Sequence, residues 1–355
     1  MKILFTGGGT MGSVTPLLAV AEKICQVEPT TELFWLGTIN GPEKKLVEEN
    51  NISFTAIQSG KLRRYFSLQN FVDPFRVMVG YFQSISYLRR VRPQVVITAG
   101  AFVSVPVIWV AWVLRIPIIV HQQDIVPGLA NRLMSSFAKK ITVALELSTK
   151  YFNKNKVVHI GNPVRKSILS GSRDAAKEKF SLNSDLPVLL ITGGGTGAEA
   201  INQLVFDAAE ELSKFCQVIH ITGHGKMNDK VKAKNYHVYE FITAEMKDAL
   251  AVADLVVSRA GFGSLTELAA LGKPTIVIPM PKTHQVSNAE YFAKNNAVIY
   301  LSQASLDSVG FATKVRRLLS NKSDLANLSR NIKTSLKWGA SDMLIGLINE
   351  LTVKK

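Results

Sequence analysis

Short apolar runs alternate with longer amphipathic stretches along the whole chain. Leu33–Leu36, Val95–Thr98, Ile116–Val120 and Lys140–Val143 are brief and mostly apolar, as buried parallel strands are. Between them, Pro16–Gln26 and Phe71–Val91 repeat their apolar positions at helical spacing. The second half repeats the scheme, with strands at Val188–Thr192, Val218–Thr222, Leu255–Ser258 and Thr275–Pro279. Its helices include Ala198–Leu212, Glu245–Ala253, Ser264–Leu271 and Gln285–Asn295. Strands alternating with helices predict parallel sheets.

The pattern also carries an internal echo. ILFTGGGT at Ile3–Thr10 returns as LITGGGT at Leu190–Thr196. Each copy is a strand, a glycine loop and a helical segment, which predicts two similar α/β domains. A chain of 355 residues suits two domains of about 150–200 residues. The boundary is expected at Gly161-Asn162-Pro163-Val164, giving domains 1–162 and 163–337. The amphipathic Ala340–Thr352 run, in a C-terminal helix of about 338–355, is expected to pack back on the first domain.

Composition narrows the class. Hydrophobic residues make up 47% and charged residues 19%, which excludes a disordered chain. Cys25 and Cys216 form no disulfide framework and no metal-ligand spacing, so a reducing, cytoplasmic compartment is expected. The first apolar run is far too short for a signal-peptide core. Phe102–Val120 is the most apolar stretch, but Pro106, Arg115 and Pro117 interrupt it, so it reads as helix, turn and strand. The net charge of +15, denser in the first half, points to an anionic partner. Nucleic acid is not the expected one, since neither zinc-finger spacing nor an RNP-type motif is present.

The candidate chemistry lies in the glycine loops. Gly7-Gly8-Gly9-Thr10-Met11-Gly12 fits GxGxxG and Gly193–Ala198 fits GxGxxA. Such loops let a phosphate approach the backbone at a helix N-terminus, or serve only tight strand–helix packing. A dinucleotide site also needs a carboxylate at the end of the second strand. Here those strands end Trp35-Leu36-Gly37-Thr38 and Ile221-Thr222-Gly223, which argues against NAD. Ser258–Glu267 follows a strand and opens a helix. The amides of Ser264, Leu265 and Thr266 would face an anion, and Glu267 would accept from both hydroxyls of a ribose. Ser264-x-x-Glu267 is equally a capping box, and spacing alone leaves both readings open.

At these residues the chain resembles the N-acetylglucosaminyltransferases of glycosyltransferase family 28 that complete the lipid-linked disaccharide of peptidoglycan. The matching pieces are GGGTMGSVTP, GAFVSVP at Gly100–Pro106, HQQD…GLANR at His121–Arg132 and GNPVR at Gly161–Arg165. They continue with GGGTGA at Gly193–Ala198, SRAGFGSLTELAALGKP at Ser258–Pro274 and HQVSNA at His284–Ala289. The resemblance implies a GT-B fold, two Rossmann-like domains whose parallel sheets face a central cleft. It implies that the second domain takes UDP-N-acetylglucosamine, with uracil read near Ile242 and the ribose held by Glu267. The diphosphate would lie on Arg259, Gly261, Phe262, Gly263 and the Ser264–Thr266 turn, helped by Gly195 and Thr196. Arg165 matches an arginine near the donor phosphates; His284, Gln285 and Asn288 match the sugar-contacting helix. Thr10, Met11, Gly12 and Asp124 complete the donor side. Gly8, Gly9, Thr10, Gly12 and Ser13 would cradle the diphosphate of a polyprenyl-linked muramyl-peptide acceptor. Transfer would proceed with inversion. No cofactor or metal is expected to be required, and the chain has no Asp-x-Asp pair.

Two departures bear on the mechanism. The family's usual histidine is replaced by Ser13, which cannot act as a base near neutral pH without an activator. Gln122 and Asp124 stand where the family has glutamate and asparagine, so the carboxylate has moved by two residues. Asp124 is therefore expected to be the base or to orient one, with His121 the second choice; both can alternatively serve only to pin the loop. A related enzyme with another lipid acceptor and a non-catalytic nucleotide-sugar module remain alternatives. An acceptor on a polyprenyl anchor implies a peripheral position on the anionic cytoplasmic face of the membrane. Phe66, Phe71, Phe75, Met78, Tyr81 and Phe82, flanked by Lys61, Arg63, Arg64, Arg89, Arg90 and Arg92, suit such a surface. Helical amphipathicity predicts that most of these aromatics are core, with a few exposed at the N-terminal end.

Overall fold

A computed structural model describes residues 1–60, 69–182, 185–195, 197–228 and 231–352. The chain forms two units, Met1–Arg165 with Lys337–Lys355, and Lys166–Leu336.

The first unit runs β1 (Lys2–Thr6), α1 (Thr15–Val27), β2 (Glu32–Thr38), α2 (Glu43–Glu49), β3 (Ser53–Ile57), α3 (Gln69–Val91), β4 (Val95–Thr98), α4 (Ser104–Val113), β5 (Ile118–Gln122), α5 (Leu129–Ser135), β6 (Lys140–Val143) and β7 (Val157–His159). Its seven strands are parallel, in the order β3-β2-β1-β4-β5-β6-β7. Strand side chains alternate between the two faces. Ile3, Phe5, Val95 and Ile97 pack under α1 on one face, while Leu4 and Val96 pack under α3, α4 and α5 on the other.

The second unit runs α6 (Arg173–Lys179), β8 (Val188–Thr192), α7 (Glu199–Ser213), β9 (Gln217–Ile221), β10 (Tyr236–Tyr239), α8 (Met246–Val252), β11 (Leu255–Ser258), α9 (Phe262–Leu271), β12 (Thr275–Val277), α10 (His284–Lys294), β13 (Ile299–Tyr300), α11 (Ser308–Ser320) and α12 (Lys322–Thr334). Its six parallel strands are ordered β10-β9-β8-β11-β12-β13. The chain then returns to the first unit as α13 (Ala340–Thr352), whose Ala340, Leu344 and Ile348 are buried beside α1.

Each sheet reverses its winding once, between β1 and β4 and between β8 and β11. Connections leaving these strands diverge to opposite faces, which opens a crevice at the carboxyl ends where ligands bind in open α/β sheets. Both glycine loops and the Ser258–Glu267 segment lie at these two reversals. Where the chain leaves the first unit, Gly161 has φ +87° and a Cβ there would overlap the Lys337 carbonyl oxygen, so only glycine fits. Lys337 Nζ also donates to the His159 carbonyl at 2.9 Å, so outgoing and returning segments are fastened side by side.

Candidate functional site

In the second unit, α9 begins two residues earlier than the sequence pattern suggested. Its N-cap is Gly261, with no side-chain cap, and its first helical bond is Leu265 N to the Gly261 carbonyl at 3.0 Å. Ser264 is thus the third helical residue and Glu267 the sixth, so the pair is not a capping box, which needs the serine at the N-cap. The amides that precede the first helical bond are Phe262, Gly263 and Ser264, not Ser264–Thr266. Side chains lean toward a helix's N-terminus, so Glu267 overhangs the turn carrying Gly263 and Ser264.

Gly261 is informative in another way. Its φ of −68° is open to any residue, and a Cβ there would meet nothing within 4 Å. Neither conformation nor packing within the described residues calls for glycine, and a bare backbone at a helix N-terminus suits an approaching phosphate.

Other predicted donor residues fall into distinct places. Phe262 and Leu265 are buried, Phe262 edge-on to Phe292, so their side chains serve packing. Thr266 is buried and donates to the Phe262 carbonyl at 2.8 Å. Arg259 is mostly buried, and its Nη1 donates to the Ile278 carbonyl at 2.9 Å and to Gln303 Oε1 at 2.8 Å. It braces the strand-end loop, and desolvation lowers its guanidinium pKa below the ordinary value. Asn288 is fully buried behind the same loop, its Nδ2 donating to the Ala260 carbonyl at 3.1 Å. Gln285 accepts from the Met280 amide at 3.0 Å, which shapes the loop after β12, and His284 is exposed beside it. Ile242 is buried after β10. In the other glycine loop, Gly195 is exposed, Gly194 has φ +79°, and a Cβ at Gly197 would overlap the Thr222 carbonyl; Thr196 lies outside the described residues.

In the first unit the glycine loop is held from three sides. Trp35 Nε1 donates to the Gly7 carbonyl at 2.9 Å, Gly7 N donates to the Leu36 carbonyl, and Gln123 Nε2 donates to the Gly12 carbonyl at 2.7 Å. Gly9, Thr10 and Gly12 are exposed, Met11 is half-buried against the core, and Gly8 and Ser13 are buried. Gly12 resembles Gly261, since a Cβ there would meet only Thr10 Oγ1, at 3.9 Å. The Ser13 hydroxyl turns back toward the Thr10 carbonyl at 3.5 Å and has no activating base there.

His121 is buried in the sheet. Its Nε2 donates to Asn162 Oδ1 at 2.8 Å and its Nδ1 accepts from Thr142 Oγ1 at 2.9 Å. Burial lowers its pKa to about 4, opposed by the Asn162 bond. Both ring nitrogens are engaged away from solvent, which makes His121 a structural tie and unsuitable as a base. Gln122 is buried too, donating to the Asp124 carbonyl at 2.7 Å and accepting from Asn131 Nδ2 at 2.6 Å. Asp124 remains half-exposed at the end of β5, next to the Gln123 tether to the glycine loop. Arg165, also half-exposed, ends the outgoing segment.

Sequence reasoning missed one carboxylate. Glu43, on the first turn of α2, is wholly buried against the end of β2. Its Oε1 accepts from the Thr38 amide at 2.6 Å and from Thr38 Oγ1, and its Oε2 accepts from Gly9 N at 3.1 Å. A carboxylate does therefore stand at the end of the second strand. Both its oxygens are engaged and it is shielded from solvent, so it does not present itself to a ribose. Gln123, Asn131 and Gln303, which tie Gly12, Gln122 and Arg259, likewise carry no signal of their own in the sequence.

The helical face of the first unit is unusually apolar. Phe75 and Phe82 are 66% and 63% exposed, and Met78 and Val79 on α3 are also exposed; Trp112 and Val113 at the end of α4 and Leu129 and Leu133 on α5 add to them. α3 packs on α4, and α4 on α5. Tyr81 is half-buried against the core, but exposure reaches Phe82 in mid-helix, well beyond the N-terminal end. Arg89, Arg90, Arg92 and Arg115 are exposed nearby in the chain. Lys61, Arg63, Arg64, Phe66 and the Phe71 side chain lie outside the described residues. Among those described, no helix is long and apolar enough to cross a membrane, and no group of three His, Cys, Asp or Glu residues is arranged for a metal.

Comparison with known proteins agrees with this architecture. Residues 3–143 match the glycosyltransferase family 28 N-terminal domain and residues 188–343 its C-terminal domain. A Clostridium kluyveri protein, the UDP-N-acetylglucosamine–N-acetylmuramyl-(pentapeptide) pyrophosphoryl-undecaprenol N-acetylglucosamine transferase, is 38% identical over 98% of this chain and 99% of its own. A Legionella pneumophila (strain Paris) protein of the same name is 36% identical over 98% and 96%. The crystal structure of Acinetobacter baumannii MurG superposes with a TM-score of 0.72 at 24% identity, covering 98% of this chain and 99% of that one. The Neisseria meningitidis UDP-GlcNAc 2-epimerase structure gives 0.73 at 14% identity, over 99% and 100%, a likeness of fold alone. With both halves of the GT-B pattern matched in order, this chain belongs to glycosyltransferase family 28.

Proposed function

We propose that the protein transfers N-acetylglucosamine from UDP-N-acetylglucosamine to a hydroxyl of a polyprenyl-diphosphate-linked muramyl-pentapeptide, with inversion. The observation that carries the donor half is the head of α9, where the amides of Phe262–Ser264 and the bare backbone at Gly261 meet at the winding reversal of the second sheet. There they neutralise the diphosphate as the bond from its oxygen to the anomeric carbon breaks. Glu267 accepts the ribose hydroxyls, Gln285 and His284 face the sugar, and the backbone at Ile242 reads uracil. Arg165 adds positive charge to the donor phosphates.

On the acceptor side, the backbone of Thr10–Gly12, exposed at Thr10 and Gly12, takes the lipid-linked diphosphate. Asp124 removes the hydroxyl proton as the new bond to the anomeric carbon forms, and UDP departs. Asp124 is favoured over His121 because it is half-exposed, whereas both nitrogens of His121 are occupied. The exposed apolar residues of α3–α5 with their neighbouring arginines support contact with an anionic bilayer, where a polyprenyl acceptor resides.

Incubation with radiolabelled UDP-N-acetylglucosamine and a short-chain muramyl-pentapeptide diphosphate lipid tests this reading. Disaccharide product with equal release of UDP is expected. Donor binding by calorimetry without turnover would replace the transferase with a binding module, and turnover only on a diacylglycerol would replace the acceptor.

A further inference from the structure

Glu43 presents a problem that its neighbours answer. A carboxylate wholly removed from water is costly unless both oxygens accept hydrogen bonds, and here three donors supply them. Three glycines make room for it. A Cβ at Gly8 or Gly41 would overlap its oxygens, and one at Gly37 would come within 3.0 Å of Oε1. The loop that must attract an anion has therefore been built around a negative charge. A carboxylate is acceptor-only on every side, so it alone can take the Gly9 N–H on one oxygen and both Thr38 donors on the other.

We propose that Glu43 is a positioning residue for the glycine loop of the first unit. It draws the Gly9 amide inward, fixes Gly9 at φ +75°, and so turns the exposed backbone that follows, Thr10 to Gly12, toward a diphosphate. Gly9 then leaves the set of amides available to the acceptor and becomes the pivot of the loop. This rests on the reading of that loop as the acceptor cradle.

The test uses Glu43→Gln in the full chain. Glutamine can serve the Thr38 donors through its oxygen but sets an NH2 donor against the Gly9 N–H. Hydrogen exchange across residues 7–13 should show lost protection at Gly9. Steady-state kinetics should show an acceptor KM raised about tenfold or more with the donor KM unchanged. Loss of thermal stability with neither KM altered would overturn the proposal, as would a protected Gly9 in the variant. If Glu43→Gln does not fold, Thr38→Val, which removes one of the three donors, must raise the acceptor KM selectively by a smaller factor; no change there also overturns it. Wild-type protein that fails to turn over the acceptor counts against the proposed function, whereas normal wild-type turnover with an unmoved acceptor KM in the variants counts against Glu43 alone.

Discussion

His121 and Asn162 share a buried hydrogen bond, Nε2 to Oδ1 at 2.8 Å, that joins the end of β5 to the segment leaving the first unit. Burial keeps the imidazole neutral near pH 7 by lowering its pKa to about 4, and a neutral ring that donates from Nε2 accepts from Thr142 at Nδ1. His220 in the second unit is similarly enclosed by Tyr236 and Asn202, and burial takes its pKa to about 3. The unfolded chain protonates these rings below its ordinary 6.5, while the folded chain resists until about 4 and about 3. Stability is therefore intact above about pH 6.5 and falls as the pH drops toward 4, by up to about 1.4 kcal/mol per pH unit for each histidine. Urea unfolding across that range should show the decline. His121→Gln should be less stable near neutral pH yet lose stability less steeply on acidification; an unchanged slope would remove His121 from this account.

Glu267 is the sixth residue of α9, one turn beyond the Gly263 and Ser264 amides at its head. Glu267→Ala should raise the donor KM roughly tenfold to a hundredfold, the scale of a charge-assisted hydrogen bond of about 1.5–3 kcal/mol. The acceptor KM and the melting temperature should change little. Equal losses in both substrates would indicate collapse of the loop instead.

Asp124→Asn removes the proposed base while keeping size and much of the hydrogen bonding. A fall in kcat of about 10²–10⁴ is expected, with UDP affinity retained. Near-normal turnover would show that the proton leaves by another route.

The apolar face of α3 should decide membrane attachment. Changing Phe75, Met78 and Phe82 together to serine should abolish co-sedimentation with anionic vesicles and leave turnover of a short-chain acceptor intact. Replacing Arg89, Arg90 and Arg92 with glutamine should weaken binding by about 1 kcal/mol per charge and blunt its salt dependence. Binding indifferent to anionic lipid would reject the electrostatic component.

Much of the fold is legible in the sequence, for a physical reason. Central strands such as Val95–Thr98 and Leu255–Ser258 are buried on both faces, so their apolar runs are uninterrupted. Edge strands β3 and β10 carry SFTAI and YHVY with several half-exposed positions, and that pattern does not separate them from loops. The start of α9 is not legible in the sequence, because a glycine N-cap leaves no side-chain signature while a serine two positions inside imitates one. Glu43 was invisible because its role arises from three glycines spread over residues 8–41, which only folding gathers around it. The exposure of Phe82 is not legible in the sequence, because helical periodicity locates an apolar face without saying what covers it.

The return of the chain at Lys337 makes the two halves unequal as pieces. Lys166–Leu336 is a continuous insertion and can be excised by two cuts without taking any strand or helix from its neighbour. A truncation at Arg165 would instead strip α13 from the first unit and lay bare the apolar surface that Leu344 and Ile348 now cover. An intact fragment of the first unit thus calls for splicing residue 165 to residue 337, where the backbone of Gly161 already lies against Lys337.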